Sequence, residues 1–420
     1  MLIQKLKGLS SDQFVRNLGW LGAAELTNRV FRLLTTVTLA RVFTPYDYGM
    51  VSVIYTVFDI AGSLSLTAGI RAKIVQADDE ELENICNTSY WLFWIICSAL
   101  FIFQCLAAYP IAQFYQNNQL ILPICTVGLI FLTYPTFLVQ AALIERENRL
   151  KVIAWCAASQ AIVANVMLVI LAILGVKVWA VVWSMVLSFP LWILIANWNQ
   201  PWRPSKSFSI KGWREILGFS GKILGAELLF KFRLNVDYLI VGRFLGLEAL
   251  GLYFFAFNAG LGISQSILNS LSAAWYPNYC QVRGDLKQLN KRFINSFKAI
   301  AAVVVPVVIL QTSLAHFYVP IVFGAKWNSA VPILVLICLS AVPLAISMST
   351  SQLLRSVDKT NIDFAWNLVF TSVFVVSLLL VVHNGIFWVA ATVLMTQVVA
   401  VPVFAAWVSR LVFSRKPLHS

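Results

Sequence analysis

Charged residues are scarce in this sequence of 420 residues. Only 12% are Asp, Glu, Lys or Arg, whereas 60% are hydrophobic, and the mean hydropathy is +0.79. Soluble domains carry about 25% charged and about 45–50% apolar residues, so a soluble core of this length could not bury so much apolar surface. The scarcity of charge therefore excludes an ordinary soluble protein and favours a membrane protein whose outward faces are solvated by lipid.

Metal-binding side chains are few and scattered. The seven cysteines form no CxxC pair, and the three histidines, His316, His383 and His419, lie far apart in the sequence. This spacing is not that of a zinc site, and we expect the cysteines to act as small apolar residues inside helices. No nucleotide-binding P-loop is present. The sequence thus indicates no metal, no cofactor and no direct use of ATP.

The net charge of +13 would suit a nucleic-acid-binding protein. However, the Lys and Arg residues stand in short clusters between apolar runs, which is the pattern of membrane-protein loops. No basic domain remains that could hold a duplex. We therefore expect membrane lipids, and no nucleic acid, among the partners.

Apolar runs long enough to span a bilayer recur along the chain. A spanning helix needs about 20 mostly apolar residues, and twelve segments meet this criterion, although the first and the seventh carry charges. They are 17–40, 48–70, 87–110, 118–142, 151–174, 177–198, 216–242, 248–272, 294–318, 328–352, 362–382 and 385–409. The pattern predicts an all-α polytopic membrane protein of about twelve transmembrane helices.

Lys and Arg residues are divided unevenly between alternate loops. With a cytoplasmic N-terminus, the outside loops hold only Arg41, Lys177, Arg243 and Lys326. This asymmetry satisfies the positive-inside rule and predicts that both termini are cytoplasmic. The outside loops are also too short to carry the catalytic side chains of a polysaccharide polymerase or glycosyltransferase. We therefore expect a protein that is not an enzyme.

The first and seventh predicted helices are related in sequence. An offset of 202 residues superimposes a glutamate and, four residues later, a cation, together with several further matches: Ala24 and Ala226, Glu25 and Glu227, Leu26 and Leu228, Arg29 and Lys231, Arg41 and Arg243, Gly49 and Gly251. We predict an N-terminal lobe at 1–200, a cytoplasmic linker at 201–215 and a C-terminal lobe at 216–420. Since each lobe has six helices, the two form a parallel repeat.

Charged side chains lie inside predicted helices, where each would destabilise a lipid-facing helix by roughly 2.5–3.5 kcal/mol. They must face one another or a hydrated cavity, and Arg and Lys in such a cavity could bind an anion such as a diphosphate. The candidates for substrate binding are Arg29, Arg32, Lys231, Arg233 and Asn235. The candidates for ion coupling or charge pairing are Glu25, Asp59, Glu227 and Asp237.

A second interpretation is that these charges only neutralise one another along a helix. It applies to the pairs Glu25–Arg29, Glu227–Lys231 and Arg233–Asp237. Arg32 has no obvious acidic partner in its own helix, which favours the binding interpretation there. Gln160, inside the fifth predicted helix, is more typical of a contact between helices than of a ligand contact.

Two segments resemble Wzx-type polysaccharide flippases. Residues 41–49, RVFTPYDYG, are similar to the first loop of that family, and residues 235–246, NVDYLIVGRFLG, with 250–253, LGLY, resemble its seventh helix and following loop. The resemblance implies the polysaccharide branch of the multidrug/oligosaccharidyl-lipid/polysaccharide exporter superfamily. Members move undecaprenyl-diphosphate-linked oligosaccharides from the cytoplasmic to the periplasmic leaflet for O-antigen, capsule or exopolysaccharide synthesis.

The resemblance therefore leads us to expect a multi-pass inner-membrane flippase that works by alternating access. Its partners would be a lipid-linked oligosaccharide, membrane lipids and polysaccharide polymerase machinery, and a proton or sodium gradient could drive it. The alternative within the superfamily is a cation-coupled multidrug exporter, for which embedded acidic groups would suit the substrate better than cations.

Overall fold

The computed structural model describes residues 31, 34–205 and 208–413, which form helices and short turns with no β-strand among them. Nine helical segments of this part of the chain are long and apolar enough to cross a membrane. This confirms an all-α polytopic membrane fold. The count of twelve, the repeat and the cytoplasmic termini stay predictions, and most of the predicted helix 17–40 lies outside the described residues.

The nine spans agree with nine of the predicted segments. They are Pro45–Gln76, Asp79–Phe114, Asn118–Thr136, Leu150–Ile173, Val178–Asn199, Leu286–Phe323, Ala325–Ser356, Thr360–Asn384 and Ile386–Phe413. Large apolar side chains stand exposed on their outward faces, among them Leu106, Leu194, Ile321 and Leu380. Such faces are expected where lipid, and not water, is the solvent.

The helices group into two compact units, each with more contacts inside than outside. The first contains the described residues of Met1–Phe43 and Met50–Asn235, and the second those of Thr44–Gly49 and Val236–Ser420. The division falls inside the helix Trp213–Phe244 and not at the predicted linker 201–215. The predicted lobes at 1–200 and 216–420 describe a duplication of sequence, and they stay a prediction.

The first unit is built from ten helices, two of which it shares with the second. They are α1 (34–42), α2 (Pro45–Leu64), α3 (Thr67–Gln76), α4 (Leu82–Phe114), α5 (Ile121–Thr133), α6 (Leu138–Arg146), α7 (Leu150–Ile173), α8 (Val178–Ser188), α9 (Pro190–Asn199) and α10 (Trp213–Phe244). Its apolar core includes fully buried Ile70, Phe93, Phe131 and Ile144, which come from four different helices and hold α3, α4, α5 and α6 together.

Three of the spans in the first unit are interrupted. Leu66, in the left-handed conformation with φ of 56°, separates α2 from α3. Pro135 lies in the short turn between α5 and α6, and Pro190 begins α9 directly after α8. Proline lacks the N–H that would continue a helix and clashes with the preceding turn. These interruptions expose helix ends within the span, and they surround the cavity described below.

The second unit continues with α11 (Gly246–Ala256), α12 (Gly262–Cys280), α13 (Leu286–Ala299), α14 (Val305–Tyr318), α15 (Val331–Leu339), α16 (Ala341–Ser356), α17 (Thr360–Val381) and α18 (Ile386–Phe413). Wider π-helical turns, at Phe257–Leu261 and Ile300–Val304, join α11 to α12 and α13 to α14. Buried hydroxyls bridge its helices: Tyr279 and Ser349 lie 2.8 Å apart, and Ser296 lies 2.7 Å from Ser349.

The start of α2 belongs to the second unit and is fixed by its own side chains. Asp47 accepts hydrogen bonds from the backbone N–H and the hydroxyl of Thr44 at 3.0 and 2.7 Å, and the Thr44 hydroxyl accepts from the Asp47 N–H. This is a capping box with a proline in the first turn. The Thr-Pro-Tyr-Asp segment that carried the family resemblance is thus a helix-initiation signal.

Two glycines of the second unit form a reciprocal contact. A Cβ on Gly49 would meet the carbonyl oxygen of Leu247, and a Cβ on Gly251 would meet the carbonyl oxygen of Pro45. Both partners are rigid backbone atoms, so neither position accepts a larger residue. Gly49 and Gly251 are also the last matched pair of the 202-residue offset.

Turn geometry recurs at a spacing of 210 residues. Asn148, between α6 and α7, and Asp358, between α16 and α17, both have positive φ, at 54° and 57°. After them, Arg149 N donates to Ile144 O at 3.0 Å, and Lys359 N donates to Leu354 O at 2.9 Å. The two helix ends therefore close in the same way, although their side chains differ.

Candidate functional site: a charged cavity in the first unit

The first unit contains an open cavity of about 310 Å³ whose walls come from α2, α3, α6, α7, α9 and α10 and from the interruptions between them. The volume lies at the lower end of the range for ligand pockets. Its polar lining consists of Asp59, Ser63, Ser65, Thr67, Arg71, Gln160, Glu227 and Lys231. Its aromatic lining consists of Phe58, Tyr134, Phe137, Phe189 and Trp192.

An ion pair joins two walls of the cavity. Lys231 Nζ of α10 lies 2.6 Å from Asp59 Oδ1 of α2, and the two side chains are 28% and 40% exposed. Asn235, one turn after Lys231, donates from Nδ2 to the other carboxylate oxygen at 3.2 Å. Thr56 in turn donates to Asn235 Oδ1 at 3.3 Å. Asn235 therefore orients Asp59 and does not itself line the cavity.

The exposure of this pair sets its strength. Half-exposed ion pairs contribute about 0–1 kcal/mol to stability, because water still solvates both charges. Loss of one partner from an enclosed pair destabilises the protein strongly, because the remaining charge stays buried and unpaired. The Lys231–Asp59 pair is of the first kind. A bound anion could therefore take the place of Asp59 at Lys231 without a large energetic penalty.

Lys231 is neutralised across the cavity and not along its own helix. Between Glu227 and Lys231, both described, no ion pair forms; the partner of Lys231 is Asp59, 172 residues away in sequence. Glu227 instead contributes its own side chain to the cavity lining. The interpretation of Glu227 and Lys231 as a simple i,i+4 pair is therefore wrong for α10.

A second cation, Arg71, lies on α3 at the wall. Its Nη2 donates to Glu145 Oε2 at 2.6 Å, while its buried Nε has no hydrogen-bond partner among the described residues. An arginine N–H left in this state favours an acceptor. Arg71 directly follows the predicted apolar segment 48–70, so its position in the sequence is that of a loop cation, and nothing in the local sequence indicates the cavity.

The aromatic lining is placed by the helix interruptions. Tyr134 begins the turn that contains Pro135, Phe137 follows that turn, and Phe189 immediately precedes Pro190. Trp192 packs against Phe137 with ring centroids 5.5 Å apart and the ring planes tilted by 33°. Proline thus ends each helix where its aromatic residues can turn inwards.

The other predicted site residues fall outside this cavity. Glu25, Arg29 and Arg32 lie outside the described residues. Arg233 is half-buried on α10 and is not part of the cavity lining.

Asp237, in the second unit, is enclosed, with 5% of its surface exposed. It accepts hydrogen bonds from the Tyr253 hydroxyl at 2.9 Å and the Tyr238 N–H at 3.0 Å.

The described lining of the cavity carries charges of both signs. It holds two carboxylates and two cations, so their formal charges balance. Across 34–205 and 208–413, no group of three His, Cys, Asp or Glu side chains is arranged to hold a metal ion. Interrupted helices around a charged pocket are typical of membrane transport proteins, in which helix ends and unwound backbone contact the substrate.

The described residues thus form a polytopic membrane fold with a charged cavity in its first unit. Residues 38–332 match a family model described as "Polysaccharide biosynthesis protein". The chain belongs to this family. The resemblance inferred from residues 41–49 and 235–253 is confirmed.

Curated relatives agree with this assignment. The chain is 24% identical over 357 residues to "Lipopolysaccharide biosynthesis protein WzxC" of Escherichia coli (strain K12), covering 82% of this chain and 70% of that protein. It is 23% identical over 370 residues to "Succinoglycan biosynthesis transport protein ExoT" of Rhizobium meliloti (strain 1021), covering 86% and 73%. The names of these relatives agree with the family description and with the prediction of a protein that is not an enzyme.

Two solved structures share the fold. "Lipid II flippase MurJ, inward closed conformation" superimposes with a TM-score of 0.75 and 14% identity, covering 92% of this chain and 86% of that one. A multidrug resistance MATE family transporter of the MOP superfamily, in its inward-facing conformation, superimposes with a TM-score of 0.71 and 16% identity, covering 92% and 94%. At these identities the likeness concerns the fold alone.

Proposed function

We propose that this protein is a flippase that moves an undecaprenyl-diphosphate-linked oligosaccharide from the cytoplasmic to the periplasmic leaflet of the inner membrane. The family and the relatives support a role in polysaccharide biosynthesis and transport. The observation that carries the proposal is the cavity, where Lys231 and Arg71 place two cations on the wall. Arg29 and Arg32 would add to this positive charge.

The physical need for such a cavity follows from the substrate. A sugar diphosphate cannot enter hydrocarbon without leaving its charges unpaired, which is strongly unfavourable. A hydrated cavity with cations removes most of that barrier, while the prenyl tail stays in lipid. In this mechanism the diphosphate replaces Asp59 at Lys231, and the half-exposed ion pair makes the exchange inexpensive.

Alternating access would rest on the duplication of the chain into two lobes. The reciprocal contact of Gly49 and Gly251, at the 202-residue offset, supports the duplication. The equivalent helix ends at Asn148 and Asp358 support it as well. With twelve helices and cytoplasmic termini, the lobes would form a parallel repeat and expose the cavity first to one leaflet and then to the other.

Coupling to a proton gradient would use the same ion pair. A proton on Asp59 removes the charge that holds Lys231 and leaves the ammonium to the substrate, so protonation and anion binding favour each other. The charged groups that face Asp59 in the cavity are Lys231, Glu227 and Arg71. Transport into vesicles should then slow when an ionophore dissipates the proton gradient, and an unchanged rate would contradict proton coupling.

The proposal is tested with the full chain reconstituted in liposomes and a fluorescent prenyl-diphosphate oligosaccharide. We expect Lys231→Gln to lower the flipping rate at least about tenfold, since one charge-assisted contact contributes about 1.5–3 kcal/mol. The matched control is Lys298→Gln, which removes an exposed lysine of α13 that is remote from the cavity in sequence.

The result has a clear reading. Loss of flipping in Lys231→Gln with retention in Lys298→Gln supports a cationic cavity for an anionic lipid. Equal rates in both variants and wild type would refute it, and so would a wild-type protein that fails to flip the probe at all.

A second candidate is cation-coupled drug export, favoured by the two carboxylates, Asp59 and Glu227, in the lining. The two functions differ in the sign of charge that the cavity should prefer. Displacement of the prenyl-diphosphate probe by an organic cation, but not by a soluble diphosphate, would favour the drug exporter.

A further inference from the structure

We propose that the aromatic side of the cavity, formed by Tyr134, Phe137, Phe189 and Trp192, binds one sugar ring of the substrate next to the diphosphate. This inference rests on the proposed function and adds to it a place for the glycan. It follows from the unequal lining of the cavity, which has its carboxylates and cations on α2, α3 and α10. Apart from Phe58 of α2, its aromatic rings lie at the α5–α6 and α8–α9 interruptions or within the first turn of the helix that follows.

The chemistry of a pyranose fits such a wall. One face of the ring carries C–H groups and is apolar, while its edge carries hydroxyls. An aromatic ring offers a flat surface with a negative face to the C–H groups, and a nearby amide can bind a hydroxyl. A diphosphate has no apolar face, so these four aromatic residues would contact another part of the substrate.

Trp192 is held in position to act as the platform. Its Nε1 donates to Gln160 Oε1 at 2.5 Å, and its ring lies 5.5 Å from that of Phe137, tilted by 33°. Such preorganisation favours binding because little side-chain freedom is lost when the ligand arrives. Since Gln160 uses its oxygen for Trp192, its Nε2 stays available to donate to a sugar hydroxyl.

The size of the cavity limits the proposal to one ring. At about 310 Å³ it is at the small end of ligand pockets, so it cannot enclose an oligosaccharide. The sugar attached to the diphosphate would enter, and the rest of the glycan would remain outside the first unit. The subsite would therefore sense the first sugar and ignore the length of the chain beyond it.

The test measures binding of three probes to the purified full chain in liposomes: prenyl diphosphate without sugar, and the same lipid carrying one glucosyl or one galactosyl residue. We expect wild type to bind at least one glycosylated probe more tightly than the bare lipid. Trp192→Leu should lower the affinity for that glycosylated probe roughly tenfold and leave the affinity for the bare lipid unchanged. Trp192→Phe should keep most of the affinity for the glycosylated probe. The matched control is Trp198→Leu on the same helix, since Trp198 is 89% exposed and is not part of the cavity lining.

Each outcome decides between the two proposals. If wild type binds none of the probes, the proposed function fails and this inference with it. Suppose that Lys231→Gln binds every probe more weakly than wild type does. If Trp192→Leu then lowers the affinity for all three probes equally, or for none of them, only the sugar subsite is refuted. Should Trp192→Leu fail to fold, Gln160→Leu, which removes the bond that orients the indole, must show the same selective loss or the subsite is refuted.

Discussion

Asp59 and Asp237 are both carboxylates within helices of the membrane fold, yet their surroundings differ. Asp59 is 40% exposed at its side chain, lines a cavity and pairs with the ammonium of Lys231. Asp237 is enclosed, and its hydrogen bonds come from the phenol of Tyr253 and a backbone N–H. A carboxylate beside water can exchange partners, whereas an enclosed one is fixed by the groups around it. In the proposed function, Asp59 would therefore take part in transport, whereas Asp237 would only hold its neighbours in place.

The largest effect should come from filling the space beside Asp59. Gly62 lines the cavity, and a Cβ on it would meet open space. Gly62→Leu should place its side chain in the cavity and lower the flipping rate in liposomes at least about tenfold, because the leucine would occupy the space that the substrate needs. Gly62→Ala is the control and should flip at the wild-type rate. Full activity in the leucine variant would show that substrate does not use this cavity.

The next effect concerns the charge of Asp59. Asp59→Asn removes the carboxylate that holds Lys231 and leaves the ammonium to the substrate, so the affinity for the prenyl-diphosphate probe should rise by up to about fivefold, because a half-exposed ion pair contributes about 0–1 kcal/mol. Asp237→Asn should keep the wild-type affinity, since Asp237 is not part of the cavity lining. Tighter binding in Asp237→Asn and unchanged binding in Asp59→Asn, measured in liposomes, would reverse the comparison.

The free energy of unfolding should depend on the contacts of Asp237 and not on those of Asp59. Tyr253→Phe removes the hydroxyl that donates to Asp237 and leaves an enclosed carboxylate less satisfied, so we expect a loss of about 1–3 kcal/mol in unfolding free energy. Flipping per folded molecule should be unchanged. Thermal unfolding monitored by circular dichroism measures the first quantity, and Tyr46→Phe, at an exposed tyrosine, serves as the control. Equal stability of the two variants would show that the Tyr253 bond is dispensable.

The smallest effect should arise at Asp285, a third carboxylate outside the spans. It accepts bonds from Lys287 N, Gln288 N and Gln288 Nε2, and these bonds, Gln288 first, hold its pKa below the usual range. A lowered pKa in the folded state adds stability above the unfolded pKa, and this is lost as pH falls through the folded pKa. Asp285→Ala should therefore speed hydrogen exchange at the start of α13 slightly at pH 7, and the difference should shrink in acid. A difference that grows in acid would contradict this sign.

The sequence predicted the spans better than the site. Runs such as 87–110 and 151–174 match Asp79–Phe114 and Leu150–Ile173, because hydropathy over 20 residues is a local property. Whether Pro135 and Pro190 would end a helix or only bend one is decided by tertiary packing. The charges on 216–242 indicate a polar environment, but they do not show which side chains form ion pairs.

The ion pair itself could not be predicted. Asp59 and Lys231 are 172 residues apart, while Glu227 stands one helical turn from Lys231 and was the nearer candidate. Local spacing favours the i,i+4 partner, and only the packing of α2 against α10 brings Asp59 closer. Gln160 was interpreted as a contact between helices, and it does bond to Trp192, but the cavity beside that bond has no signature in the sequence.

The mutual contact of Gly49 and Gly251 has a consequence for how the family can change. Each glycine is blocked by a carbonyl that lies four residues before the other one, so a mutation at either site cannot be rescued by trimming a neighbouring side chain. Neither position can therefore accept a larger residue, whichever of the two changes first. A duplicated gene that began with this arrangement would have had to keep both halves of it, however far the rest of the two copies diverged.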